Sequence, residues 1–236
     1  MATDVKRPVT DARDGRPVIS KADQARRTRA LIVRTGIACI ARFGYAQTSM
    51  HLISKEAKIS RGPLHYHFKD KNDLMGAIAA AIPGNMDEET AARLSAARTL
   101  RERLEAIIDI GLEQHLGDHH IVALELLTAA RRDEALAASV LPHIAASERR
   151  VDQWWIAFAG GLDWPEQRLL AFRTVFVAAL RGLSIDHNTA ADPQGHRDAL
   201  AMLREMLIAH ALDGRDTGIA TEDGADARRS SAVRLA

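Results

Sequence analysis

Cysteine is nearly missing from this 236-residue chain: Cys39 stands alone. No disulfide can therefore close within it. Cys39 lies in an apolar helical pattern and reads as a small packed hydrophobe in a reducing, cytoplasmic setting. Aromatic residues make up only 4%, so the places where they gather are informative. No uncharged apolar run approaches the roughly 18 residues needed to cross a bilayer, which argues against a membrane partner. The first 20 residues are polar and lack the apolar core of a signal segment. There is no strand-like alternation and no fixed-period repeat. Glycine-rich phosphate loops, nucleophile elbows and paired buried carboxylates are also missing, so no catalytic residue, no enzyme activity and no cofactor is expected.

What is present is a core and an uneven charge. The chain is 47% hydrophobic, enough to bury a sizeable interior. Its net charge is only +1, but residues 21–72 hold eleven Lys or Arg against three Asp or Glu. That segment carries about +8 and the remainder about −7. A basic quarter on an acidic body suits a polyanion binder, with a merely solvated helix surface as the alternative.

The pattern predicts an all-α chain. Residues 1–19 lack periodicity and read as a mobile leader. Arg7, Arg13 and Arg16 could form an arm for the minor groove. Ser20 with Asp23 opens a first helix as a capping box, and Gly44 ends it. Thr48 or Ser49 caps a second helix to about Ala57. Ser60 caps a third to about Phe68, with Pro63 tolerated in its first turn. Asp70 with Asp73 opens a fourth that stops before Pro83. Further helices are expected near 87–97, 99–116, 118–131, 133–159 with Pro142 as a kink, 164–185 and 194–212. Residues 214–236 read as a polar tail.

Residues 48–71, TSMHLISKEAKISRGPLHYHFKDK, carry the chemistry. Two short helices joined by a tight turn can place the end of the second helix in the major groove. Arg61, Gly62, Pro63 and His65 would then face base edges. Arg61 can donate two parallel bonds to guanine, Gly62 permits close approach, and Pro63 can press on a thymine methyl. Thr48, Ser49, Tyr66, His67, Lys69 and Lys71 have donors suited to phosphates. The helix N-termini at Ser49 and Ser60 add positive potential. A hairpin that merely packs on a larger body is the competing reading. The short second helix and its aromatic, basic outward positions count against it.

These residues resemble the TetR family of bacterial transcriptional regulators. The match runs through Ile40 to Tyr45, Thr48-Ser49, Ile53-Ser54, Lys58-Ile59-Ser60, and Leu64 to Lys71, about 50 residues in all. Three departures are visible. Lys58 stands where the family usually has Gly, Ile40 replaces the usual Phe, and His51 replaces a frequent Arg that would bear on DNA contact. If the turn keeps positive φ, Lys58 adopts it at a cost of order 1 kcal/mol.

The resemblance implies an N-terminal three-helix helix-turn-helix DNA-binding domain over 20–70. A larger C-terminal helical bundle over 71–213 would serve dimerisation and ligand binding. It implies a homodimer on a palindromic, double-stranded operator, acting as a repressor released by a small-molecule effector. The two-fold interface would use the last two long helices, through Leu169, Phe172, Val175, Phe176, Ala179 and Leu183 on one and Leu200, Leu203, Leu207 and Ala211 on the other. Ile108, Leu112, Trp155, Phe158 and Phe176 are candidate walls of an effector pocket, with Trp154 beside them and core or interface packing as the alternative reading of the cluster. No metal is expected. His65 and His67 are two apart on a helix and point apart. His115 and His119 have metal-ligand spacing, but Gly117 and Asp118 break the helix between them. The alternative is a helical small-molecule-binding or scaffold protein without DNA recognition, and a helical enzyme would need a dyad that the sequence does not offer.

Overall fold

The structure is a computed structural model that describes residues 20–82, 88–115, 117–159, 162–189 and 192–216. Arg7, Arg13, Arg16 and the chain beyond residue 216 lie outside the described residues. Ten helices occur among the described residues: α1 (Lys21–Gln47), α2 (Met50–Glu56), α3 (Arg61–His67), α4 (Lys71–Ala81), α5 (Glu88–Ala96), α6 (Leu100–His115), α7 (Asp118–Ala130), α8 (Glu134–Ala159), α9 (Glu166–Thr189) and α10 (Pro193–Asp216). No strand occurs among them.

Local chemistry sets most helix starts. The Ser20 hydroxyl oxygen accepts the Asp23 amide at 3.1 Å and donates to its carboxylate at 2.7 Å. Ser49 accepts the Leu52 amide at 3.1 Å. The Asp70 carboxylate accepts the Asp73 amide, and Asp73 accepts the Lys69 amide, both at 2.9 Å. Thr99 and Glu102 form the expected reciprocal box. Such caps contribute about 1 kcal/mol each. Ser60 differs from expectation. It occupies the N-cap position of α3, but its hydroxyl makes no cap bond. α9 and α10 also run past their expected ends, α10 continuing through Gly214. A single glycine costs a helix only about 1 kcal/mol and does not force a stop.

The helices enclose two hydrophobic clusters. The first joins Ile32, Ile37 and Ile40 of α1, Ile53 of α2, Leu64 of α3 and Leu74, Met75 and Ile78 of α4. Val122 and Leu126 of α7 and Leu136, Val140 and Ile144 of α8 complete it. The packing therefore runs across residue 70. Cys39 is buried in this cluster, and burial pushes its thiol up, away from reactivity. The second cluster joins α5, α6, the far half of α8, α9 and α10 around Ile107, Ile108, Trp155, Phe172 and Phe176. α8 belongs to both: Val140 sits in one cluster and Trp155 in the other.

Between these two parts of α8 lies an ion ladder. Arg173 of α9 is buried and pairs with Glu148 and with Asp152 at 2.8 Å, while Arg181 pairs with Glu148 at 2.8 Å. Burial pushes the Glu148 carboxyl up, but the bonds and charges of Arg173 and Arg181 outweigh it and hold it below the usual carboxylate range. A depressed folded pKa gives stability that is present above the unfolded value and lost as pH falls through the folded one. Glu148→Gln should therefore lower unfolding stability by about 1–2 kcal/mol near neutral pH, allowing for its partly solvated side chain. In urea titrations the gap to wild type should close as pH drops below about 4. The α4–α8 contact gives a second test. A Cβ on Gly76 would lie 2.9 Å from the Ser139 carbonyl oxygen. Gly76→Ala gains up to about 1 kcal/mol of helix propensity but must push two helix backbones apart, which costs about 1–3 kcal/mol. A lower urea midpoint is expected; a higher one would show that the helices part easily.

Candidate nucleic-acid interface

The turn between α2 and α3 spans Ala57 to Ser60. Lys58 sits at φ 53°, in the left-handed region where the family pattern has glycine. The Ile59 amide donates to the Ser54 carbonyl at 3.0 Å, closing the turn. The turn thus keeps the geometry that glycine favours and carries the strain of a side chain, of order 1 kcal/mol.

Apolar anchors fix the orientation of α3. Leu64 and Phe68 are each 1% exposed. With that side turned inward, Arg61, Gly62, Pro63, His65 and Tyr66 are all exposed, and Tyr66 is 80% exposed. An aromatic so open on an anchored helix is available for a partner. Nothing lies within 4 Å of where a Gly62 Cβ would sit. Internal packing therefore does not require glycine there, and the bare backbone leaves a flat surface. The Arg61 guanidinium lies 3.4 Å from His51 Nδ1, bringing the exposed ends of α2 and α3 together. Ser49 and Lys69 are exposed on the same unit, and His67 is half-buried with its ring edge-on to Tyr66 at 5.0 Å.

Two expected phosphate contacts are placed differently. Thr48 is 0% exposed and its hydroxyl donates to the Gly44 carbonyl at 2.8 Å. Its side chain braces the break in α1 at Gly44 (φ 76°) and cannot reach a phosphate. Lys71 is half-buried. Its ammonium donates to the Tyr45 carbonyl at 3.1 Å and stands 3.9 Å from the Tyr45 ring centre. Burial holds its pKa below the usual lysine value, partly countered by Asp133. The Tyr45 amide donates to Glu125 of α7 at 2.8 Å. Tyr45 is thus tied to α4 on one side and to α7 on the other.

The structure adds Arg29 to the basic surface. Its guanidinium carbon lies 5.1 Å from the Phe68 ring centre, at the end of α3. The charge count of α1 signals this residue as basic, but only the helix rotation places it beside the reading unit.

In the second cluster, Ile108, Trp155 and Phe176 are buried together and Leu112 packs at their edge. The side chain of Phe158 lies outside the described residues. Trp155 Nε1 donates to the Leu169 carbonyl at 3.0 Å, and its ring lies 6.0 Å and 6.1 Å from those of Phe172 and Phe176. A Cβ on Gly111 would lie 2.6 Å from the Phe176 ring, so this glycine lets the aromatic approach α6. The expected two-fold faces are corrected. Leu169, Phe172, Phe176, Leu207 and Ala211 fill the chain's own core. Among the described residues the exposed large apolar side chains on α9 and α10 are Val175, Ile185, Met202 and Met206. Both helices alternate inner and outer stripes, and the sequence periodicity does not say which is which. His115 ends α6 while His119 lies in α7, so they do not share a helix face. Among the described residues no group of three metal-ligating side chains gathers, and no helix is long and apolar enough to cross a membrane.

The family model described as bacterial regulatory proteins, tetR family, matches residues 32–78. An uncharacterised HTH-type transcriptional regulator of Mycobacterium tuberculosis is 25% identical over 81% of this chain and 99% of its own length. Among solved structures, a transcriptional regulator FadR from Bacillus subtilis, in complex with stearoyl-CoA, superposes with a TM-score of 0.58 at 16% identity. That alignment covers 76% of this chain and 97% of that one. A transcriptional regulator from Saccharomonospora viridis, in complex with choline, gives 0.59 at 20% identity over 80% of this chain and 97% of that one. The matched segment holds the turn at Lys58 and the anchored α3, so across those residues the chain is similar to the TetR family of bacterial regulatory proteins, and the likeness in fold extends through the bundle behind them.

Proposed function

We propose that this chain is a ligand-responsive, DNA-binding transcriptional regulator, acting in the cytoplasm as a homodimer on a palindromic operator. The observation that carries the reading is the outward face of α3, open from Arg61 to Tyr66 while Leu64 and Phe68 pin it from behind. Arg61 is assigned to a guanine edge, Gly62 and Pro63 to close approach, and His65 to the neighbouring base. Ser49, His51, Tyr66, His67, Lys69 and Arg29 are assigned to the phosphate backbone, where they set register without reading sequence. Lys71 supports this unit through Tyr45.

The assigned division of labour does not coincide with the two clusters, the first of which runs across residue 70. The helix-turn-helix unit over 20–70 reads DNA, and the bundle over 71–213 takes the effector and the second subunit. Ile108, Leu112, Trp155, Phe158 and Phe176 are the assigned effector wall. Structures of the same fold hold stearoyl-CoA and choline, which supports a small molecule in this bundle. We assign repression relieved by that effector, with α8 and the Glu125–Tyr45–Lys71 links carrying the coupling, which is reciprocal by linkage. The dimer face is assigned to the exposed stripe of Val175 and Ile185 with small Ala171, Ala178 and Gly182 on α9, and Met202 and Met206 on α10. Two adjacent helices exposing large apolar groups are best covered by a partner. A two-fold axis there would set the reading helices about 34–36 Å apart.

Two experiments test this. Selection from random duplexes should yield a palindrome. On it, Arg61→Ala should cost about 1–3 kcal/mol and relax preference at one base position, while Lys69→Ala should weaken all sequences alike and flatten the salt dependence. Wild-type affinity in both variants would remove the assignment of α3. Val175→Asp combined with Met206→Asp should give a folded monomer by light scattering, with operator affinity lower by roughly a hundredfold or more through lost bivalency. A persistent dimer would place the interface elsewhere.

A further inference from the structure

α6 turns one side to the second cluster. At 3.6 residues per turn, Leu104, Ile107, Ile108, Ile110 and Gly111 fall within one arc. The isoleucines and Leu104 are at most 2% exposed, and Gly111 touches Phe176. The acids Glu102, Glu105, Asp109 and Glu113 fall on the opposite side. Each is engaged: Glu102 caps the helix, and the others pair with Arg101, Arg204 and Arg93.

Arg103 breaks this pattern. It lies inside the apolar arc, one turn before Ile107 and two before Ile110. Its Nε is sealed from solvent and has no hydrogen-bond acceptor. It joins none of the ion pairs among the described residues. Arg173 makes the contrast at its terminal nitrogens: its Nε is likewise sealed and unpartnered, but Nη1 and Nη2 hold Asp152 and Glu148. A guanidinium cannot shed its proton at ordinary pH. Leaving part of it dehydrated without an anion is costly, so a missing acceptor is the physical implication.

We infer that Arg103 is the anion-recognising group of the effector site, and that the effector is an amphiphile with an apolar body and a carboxylate or phosphate head. This rests on reading the bundle as a ligand-binding unit. The planar fork of the guanidinium matches either head group through two parallel bonds. The body would pack on the cluster that holds Trp155, Phe172 and Phe176, apolar surface of the kind ligand sites use.

The test is calorimetric titration of the full chain with decanoate, decyl phosphate and decanol, on wild type, Arg103→Lys and Arg103→Met. At least one anion should bind wild type and lose roughly tenfold to a hundredfold in affinity on Arg103→Met. Arg103→Lys should fall between, and decanol should not distinguish wild type from Arg103→Met. The better of the two anions identifies the head group. Equal affinity of the anions for wild type and Arg103→Met overturns the inference, as does failure of both to bind wild type; Arg103 is then a stem lying along the bundle rim with its tip in water. If Arg103→Met does not fold, preference of wild type for an anion over decanol and partial loss in Arg103→Lys decide. Operator binding is measured separately. Anion binding through Arg103 without change in operator affinity keeps the site and removes the coupling. Release of operator by a neutral ligand, with no anion binding, removes the anion site and leaves the regulator reading standing.

Discussion

A helix of seven residues cannot hold itself together in water, because nucleation costs more than so few bonds return. α3 exists because Leu64 and Phe68 are pulled into a core built by other helices. That constraint decides everything outward of it. Once those two side chains are inward, the helical period leaves Arg61, His65 and Tyr66 no place except the surface. The outward face of α3 is the remainder of a packing requirement, which gives it the rigidity that the reading role proposed for it needs.

The same core reaches well beyond the reading unit. α4 is pressed on α8 at Gly76 and Ser139, α7 reaches Tyr45 through Glu125, and α8 continues into the second cluster. α8 thus links the two clusters, with Pro142 interrupting its backbone hydrogen-bond ladder within the first. Close-packed interiors shift between discrete arrangements and do not deform smoothly, which is the physical basis of the coupling proposed above. The ion ladder of Glu148, Asp152, Arg173 and Arg181 sits between the two parts of α8.

Much of this was legible in the sequence because local chemistry wrote it. Capping boxes at Ser20, Asp70 and Thr99 name their own helix starts, while the positive φ at Lys58 was legible only through the resemblance, which has glycine at that position. What was not legible was rotation. Thr48 is polar and lies beside the reading unit, yet it is buried, because a hydroxyl can be satisfied by the Gly44 carbonyl as well as by a phosphate. Phe172 and Val175 share a helix and a similar character, but one faces the core and the other faces out. A helix apolar on two sides does not state which side its own chain will cover. Arg103 hid for the same reason: its neighbours in sequence are charged, while its helical register sets it in line with Ile107 and Ile110.

The double membership of α8 bears on how this chain could be cut. Ile32, Ile37 and Ile40 are sealed by α4 and α7 as much as by α2 and α3. A fragment ending at residue 70 would leave that stripe wet, stripping away the lid formed by Leu74, Ile78 and Leu126. Such a piece would have lost too much interior to keep α3 in place. Modular swapping, in which a reading head is transplanted onto a foreign sensor, would for this protein have to carry α4, α7 and the front of α8 along with it.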